Sequence, residues 1–395
     1  MLRSLRAGRN PCSRLTEPRG RALLEVARVF LKLGLVGFGG PAAHIAMMED
    51  EVVRRRGWLS RERFLDLLGA TNLIPGPNST EMAIHVGHLR AGWAGLVVAG
   101  ASFIFPAFLI VLGCAWAYVR FGTLPAASGL LYGVKPVIIA VVVQALWGLG
   151  RVATRTRSLA AVGLVSLVAV AAGVHELVVL FLAGAVLAGA CWARRAGAAS
   201  ARAWLPLLAL AAAAPGSAAV SFGIVPLFLF FLKVGSVLFG SGYVLLAFLR
   251  ADLVERWGWL SEAQLLDAVA VGQLTPGPVF TTATFIGYVL GGLPGAVLST
   301  VGIFLPAFVF VALSGPLVTR IRRSPVAGAF LDGVNVASIA LMAVVTAQLA
   351  RAAIVDLPTV ALALVAAVLL IRLRVNSVWL VFAGALVGLT VSATG

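Results

Sequence analysis

Long apolar runs separated by short polar segments set the pattern of this chain. Runs such as Gly95 to Val119 and Val134 to Gly150 match the roughly 17 to 25 residues that a helix needs to cross a bilayer. They predict membrane-spanning helices. The segments are roughly 23–47, 64–89, 93–119, 124–150, 158–172 and 175–192, an equivalent set follows residue 221, and 203–220 is a thirteenth candidate. Residues 158–172 are short for a span, and 64–89 is broken at Pro75 and Pro77. The fold class expected is therefore all-α integral membrane, a polytopic helical bundle of about 10–13 transmembrane segments with proline-broken helices.

The chain also repeats itself. At an offset of 201, Phe30-Leu31-Lys32 falls on Phe231-Leu232-Lys233, Phe38-Gly39 on Phe239-Gly240, Gly57-Trp58-Leu59-Ser60 on Gly258-Trp259-Leu260-Ser261, and Pro75-Gly76-Pro77 on Pro276-Gly277-Pro278. After a one-residue slip, the offset of 200 pairs Pro106-Ala107-Phe108 with Pro306-Ala307-Phe308 and Gly133-Val134 with Gly333-Val334. This divides the chain into a basic arm (1–21), a first repeat (22–193), a linker (194–221) and a second repeat (222–395).

Composition removes the soluble alternatives. The chain is 61% hydrophobic and 12% charged with mean hydropathy +1.01, whereas soluble domains carry roughly a quarter charged residues. A net charge of +16 would suggest nucleic acid in a soluble protein, but here the basic residues sit between apolar runs, where membrane orientation accounts for them. Nucleic acid is not an expected partner. With the amino terminus inside and every segment spanning, twenty arginines fall on the cytoplasmic side and seven on the other. This sorting turns the second half upside down relative to the first, an arrangement known from secondary transporters. The loop from Arg54 to Arg63 is the exception, because its five arginines fall outside. A turn at Gly39-Gly40-Pro41, or re-entrant proline-broken segments, would lower the span count toward ten and keep the inversion. Cys12, Cys114 and Cys191 have no CxxC spacing, so neither a disulfide framework nor a thiolate metal site is expected.

Against this background a few residues stand out. Of 31 basic residues only three are lysines, Lys32, Lys135 and Lys233, each inside an apolar segment. Lys32 and Lys233 are repeat equivalents, and an inverted repeat would bring both ammonium groups toward one pseudo-twofold centre. Ionised groups at membrane depth cost at least a few kcal/mol and usually face a cavity or a partner. The reading is contact with a ligand; the alternative is snorkelling, or pairing with a carboxylate such as Glu25.

Pro75-Gly76-Pro77-Asn78-Ser79 and Pro276-Gly277-Pro278, followed by Thr281, interrupt apolar segments at matching places. Proline ends one helix, and a polar residue starts the next inside the membrane, with free N–H groups and a partial positive charge. Such ends suit an anion, and their duplication points to a transporter's binding centre; a satisfied kink is the alternative. Gly39, Gly40, Pro41 and Gly240 form a second pair of small-residue breaks, for close approach to an ion or for tight helix packing. Glu81, His85 and His88 share one helical face. Metal binding is set aside for want of ligands, leaving a proton or gating role, shared with Lys135, or an interfacial polar face. Glu49-Asp50-Glu51 beside Arg54-Arg55-Arg56 reads as a solvated helix end.

No nucleotide-binding, zinc-protease or serine-hydrolase motif occurs, so neither an enzyme nor a cofactor is expected, and transport would draw on an ion or potential gradient. The string Phe30-Leu31-Lys32-Leu33-Gly34, residues Gly37 to Pro41, Gly57-Trp58-Leu59-Ser60, Ile74 to Pro77 and their repeat copies resemble the long-chain form of the chromate ion transporter family. The resemblance runs from about residue 22 to 390. It implies a secondary transporter exporting chromate across a bacterial or archaeal cytoplasmic membrane, with sulfate as a structural analogue. It supports Lys32, Gly39, Gly40, Pro41, Pro75, Gly76, Pro77, Lys233, Gly240, Pro276, Gly277 and Pro278 as functional positions. Oxyanion uptake or antiport, of sulfate or molybdate, and a non-transport membrane protein are the alternatives. The expected partners are chromate, sulfate, the lipid bilayer and a second copy of the chain.

Overall fold

A computed structural model describes residues 19–38, 40–71, 74–122, 124–196, 221–239, 244–322 and 324–394, and among these every regular element is helical. The first half contains α1 (Arg19–Val36), α2 (Gly40–Glu49) running into a π-helical segment (Asp50–Arg55), α3 (Arg61–Thr71), α4 (Asn78–Phe121), α5 (Pro125–Ala153), α6 (Arg157–Ala171) and α7 (Glu176–Ala196). The second half repeats the order with α8 (Ile224–Val237), α9 (Leu245–Phe248) and its π segment (Leu249–Arg256), α10 (Glu262–Leu274), a 3-10 turn (Val279–Thr281), α11 (Thr282–Arg322), α12 (Pro325–Ala353), α13 (Leu357–Ile371) and α14 (Ser377–Thr394). Gly39, Gly240, most of the arm and linker, and the candidate span 203–220 lie outside the described residues.

Two segments expected to span do not cross. Ala91 (φ −140°, ψ 20°) and Gly92 (φ 67°, ψ −152°) break α4, and Gly291 and Gly292 break α11 in the same way. The breaks reverse the chain. Thr284 Oγ1 lies 2.7 Å from Thr300 Oγ1, although sixteen residues of straight helix would separate them by about 24 Å. Gly87 and Gly95, with Gly287 and Gly295, let the two arms touch backbone to backbone. So α3 with residues 78–90 forms a re-entrant hairpin whose tip is the Pro-Gly-Pro string, and only 93–121 runs on as a long apolar helix.

The first two helices form a second hairpin of the same kind. Gly40 turns the chain at φ +78°, and Lys32 on α1 reaches Glu51 beyond α2. Gly34, near the tip, packs on Phe103 and Pro106, about midway along 93–121. At the other end, Arg90 is 3.0 Å from Glu25 and 5.4 Å from the Trp58 ring. The start of α1, the loop around Trp58 and the reversal at Gly92 therefore share one membrane face. The five arginines from Arg54 to Arg63 move with that loop to the face where α1 begins. This corrects the spanning arrangement for 23–47 and 64–89. Apolar length alone cannot distinguish one crossing from two half-crossings, and the glycine breaks decide it.

The inversion is visible in α5 and α12, which are repeat equivalents lying antiparallel. Tyr132 near the start of α5 donates to Asp356 beyond the end of α12 (2.5 Å), and Arg155 beyond α5 reaches Asp332 near the start of α12 (2.8 Å). Each half also hands its last helix pair to the other, since α13 and α14 pack on α5 while α6 and α7 pack on α12. Small residues permit it: Gly133 meets the Gly384 backbone, and Gly333 meets Ala183 and Gly184. Caps fix the turns between these helices. Thr156 accepts from the Leu159 N–H at 3.3 Å, and Asp356 accepts from the Thr359 N–H at 3.0 Å.

Candidate functional site

Each Pro-Gly-Pro tip meets the end of the other half's first helix where the halves cross. The Gly76 N–H donates to the Leu238 carbonyl (2.8 Å), and the Gly277 N–H donates to the Gly37 carbonyl (2.8 Å). These are repeat-equivalent bonds, so each Pro-Gly-Pro string is tied to the break after the other half's first helix. Gly76 and Gly277 hold φ of +139° and +91°, which glycine adopts without strain. A Cβ at Gly277 would come within 2.7 Å of the Ala107 Cβ, and one at Gly76 would strike the Glu81 carboxylate.

Around this crossing, Gly76, Pro77, Ser79, Thr80, Thr275, Pro276, Gly277, Pro278 and Thr281 are buried, while Pro41, Pro75 and Asn78 are partly so. Thr281 donates to its own turn at Pro278 (2.8 Å). The first turn of α4 starts here, at mid-depth, with Pro77 as its N-cap. The Thr80 and Glu81 N–H groups donate to the Pro77 carbonyl (2.7 and 3.0 Å), and the dipole of the helix that starts here makes the crossing a place of positive potential. Buried polar atoms without a protein partner gather nearby: Thr80 Oγ1, Thr275 Oγ1 and both oxygens of Glu81.

Lys32 and Lys233 stand differently from the single shared centre drawn from the sequence. Each pairs within its own hairpin, Lys32 with Glu51 at 3.4 Å and Lys233 with Asp252 at 2.5 Å, nineteen residues on in both cases. Glu25, the partner suggested by sequence, is taken by Arg90. Each lysine precedes its tip by five residues, about 7–8 Å of helix, and the hairpins enter from opposite faces. The two ammonium groups therefore flank the crossing from its two sides. A second cation completes each cluster, Arg56 on Glu51 (2.9 Å) and Arg256 on Asp252. Two cations on Glu51 leave a net positive charge on that side, whereas Arg256 is shared with Glu176 (2.7 Å), so the Lys233 cluster holds two cations and two carboxylates. Both acids sit where the backbone bonds in the π pattern, Arg56 N–H to Glu51 and Trp257 N–H to Asp252.

Glu51, taken as part of a solvated helix end, is buried and central to its cluster. The sequence signal for the pair was available, because the offset of 201 lays Glu51 on Asp252. Asp267 and Tyr118 were missed as well. Lys135 is 3.0 Å from Asp267, and the Tyr118 hydroxyl donates to the same carboxylate (2.9 Å), so the cluster joins α4 and α5 to α10 of the other half. It lines a cavity of about 330 Å³ with Ser128 and Tyr132. The pseudo-symmetric place at the opposite face holds a cavity of about 380 Å³ lined by Arg155, Ser158, Arg194 and Asp332. Among the described residues no group of three His, Cys, Asp or Glu side chains could hold a metal ion.

The profile of the family described as Chromate transporter matches residues 24–190 and 225–389. The chain belongs to the chromate transporter family. It is 36% identical over 380 residues to the chromate transport protein of Cupriavidus metallidurans, covering 93% of this chain and 92% of that one. With the chromate transport protein of Pseudomonas aeruginosa it shares 36% over 334 residues, 82% of this chain and 80% of the relative. A probable chromate transport protein of Synechococcus elongatus is 32% identical over 352 residues, 87% and 89% of the two chains. No solved structure matches. As a chromate transporter family member, this chain is a multi-pass membrane protein with a role in chromate transport, and the crossing of its hairpin tips is the candidate substrate site.

Proposed function

We propose that the protein exports chromate across the cytoplasmic membrane as a secondary transporter, binding the anion where the hairpin tips cross. The observation that carries this reading is the reciprocal pair of bonds from Gly76 to Leu238 and from Gly277 to Gly37. It brings helix starts from both halves to mid-depth, where helix N-termini favour anions. Gly76, Pro77, Asn78 and Ser79 from one half, with Pro276, Gly277, Pro278 and Thr281 from the other, form the proposed site, and Gly40 and Pro41 support its rim. Lys32 and Lys233 act as successive stations, each exchanging its carboxylate for the passing anion. Lys135 on Asp267 latches the halves on one side of the crossing. The equivalent positions, Asn335 and Asp66, cannot form that ion pair.

An inside-negative potential favours the exit of an unaccompanied dianion by about 4.6 kcal/mol per 100 mV. Radiolabelled chromate in inverted membrane vesicles tests the direction. Export requires accumulation when the lumen is made positive, with sulfate competing. Accumulation confined to the reversed potential or to an imposed cation gradient would make the protein an uptake system instead.

A further inference from the structure

Glu81 has no role in the anion site as described, yet it is wholly buried at that site. Its relative exposure is 0%, it folds over Gly76, and neither carboxylate oxygen has a hydrogen-bond partner among the described residues. A carboxylate left bare at membrane depth is costly, and neutralisation by a proton removes that cost. One and two turns further along the same face stand His85 and His88, whose Nε2 and Nδ1 respectively are also without partners. The three groups cover about 10 Å of helix from mid-depth toward Trp93, against which His88 packs at 4.9 Å, on the face where α1 begins.

The second half has no such line, because Thr281 or Thr282, Phe285 and Tyr288 occupy the equivalent positions. The charged and titratable groups on the packed elements are otherwise engaged or distinct. On α1, Lys32 is paired with Glu51 and Glu25 with Arg90; on α2, His44 Nε2 lies 2.8 Å from the Gly37 carbonyl. Arg61 on α3 pairs with Glu49, Asp66 has an interaction of its own, and Arg63 acts on His85. On α10, Glu262 takes Arg250, and Asp267 is held by Lys135 and Tyr118; α11 adds Tyr288. None of these partners Glu81.

We propose that Glu81 is the proton-binding site of the transport cycle, carrying one proton with each oxyanion, and that His85 and His88 connect it to the face on which α1 begins. A dianion at the crossing and an ionised Glu81 beside Gly76 repel each other, so the anion is held only when the carboxyl is protonated. The proton then travels with it, and one net negative charge moves per chromate instead of two. Because only the first half carries the carboxyl, the count is one proton per cycle. This inference rests on the proposed site at the crossing.

The charge count tests it. In inverted vesicles at equal pH on both sides and a clamped lumen-positive potential of about 59 mV, one net charge gives about tenfold chromate accumulation and two give about a hundredfold. The wild-type protein is expected to reach tenfold, and to shift about tenfold per unit of imposed pH difference. Glu81→Gln, which keeps the shape and is permanently neutral, is expected to reach about a hundredfold and to ignore the pH difference. His85→Gln should keep the tenfold end point and approach it more slowly. Hundredfold accumulation in the wild type, or a Glu81→Gln protein that still responds to the pH difference, overturns the proton site. If Glu81→Gln does not transport, the wild-type count is repeated with radiolabelled sulfate, which unlike chromate carries no proton of its own at neutral pH: one net charge per sulfate supports the proton site and two overturn it. Absence of any wild-type chromate flux is a separate outcome and removes the proposed function itself.

Discussion

A single methyl group at Gly277 would have to overlap the Ala107 side chain while the backbone sat at φ +91°. The left-handed conformation costs an alanine about 1–2 kcal/mol, and the contact adds to it. Gly277→Ala is therefore expected to lower chromate flux by about tenfold or more, with the protein still found in the membrane fraction. Gly258 is the control. It has φ +63° with open space around it, so its alanine variant strains the backbone without touching the other half, and its flux should stay near wild type. Equal losses in the two variants would mean that the crossing has no special part in transport. At this scale the sequence was informative about which residues are unusual and silent about their partners. Three lysines among 31 basic residues marked Lys32 and Lys233, but a partner nineteen positions away is visible only once the hairpin is known.

Among elements, the duplicated proline strings were legible because helix breakers at matching places in two apolar segments mark interrupted helices. The hairpins were legible only as an alternative to full spans, a turn at Gly39-Gly40-Pro41 or re-entrant proline-broken segments. Residues 23–47 are long enough to cross, and the reversal at Ala91 and Gly92 sits in a stretch whose composition is continuous with a span. The correction changes a prediction. If the lysines shared one ion, replacing both would hardly worsen the loss from one. Because each pairs inside its own hairpin on its own side of the crossing, Lys32→Gln and Lys233→Gln should weaken transport independently. Their fold-losses in vesicle flux are expected to multiply to within about twofold in the double variant. A double variant no worse than the poorer single would restore the single shared site.

For the whole molecule, inversion was readable from the repeat and from the arginines. The exchange of terminal helix pairs between halves was not, since nothing in an apolar surface names its partner. The structure also improves the arginine sorting: among the described arginines outside the spans, Arg120, Arg250, Arg256 and Arg351 alone remain on the face opposite the start of α1. The latch between halves has its own test. Lys135→Gln strands the buried Asp267 without its cation, a loss of about 3 kcal/mol or more, so the thermal midpoint of the solubilised protein should fall. Adding Asp267→Asn removes the stranded charge and should recover part of the fall. A double variant less stable than Lys135→Gln would contradict the pairing.

The arrangement of both halves can be read by labelling from one side. With Cys12, Cys114 and Cys191 replaced, single cysteines at Gly20, Ser60 and Ser261 sample the start of α1, the loop after its hairpin and the repeat copy of that loop. An impermeant thiol reagent applied to intact cells should label position 261 and spare 20 and 60, and the pattern should reverse in inverted vesicles. Labelling of 60 and 261 from the same face would contradict the inverted halves, and labelling of 20 and 60 from opposite faces would contradict the re-entrant hairpin on which the crossing depends.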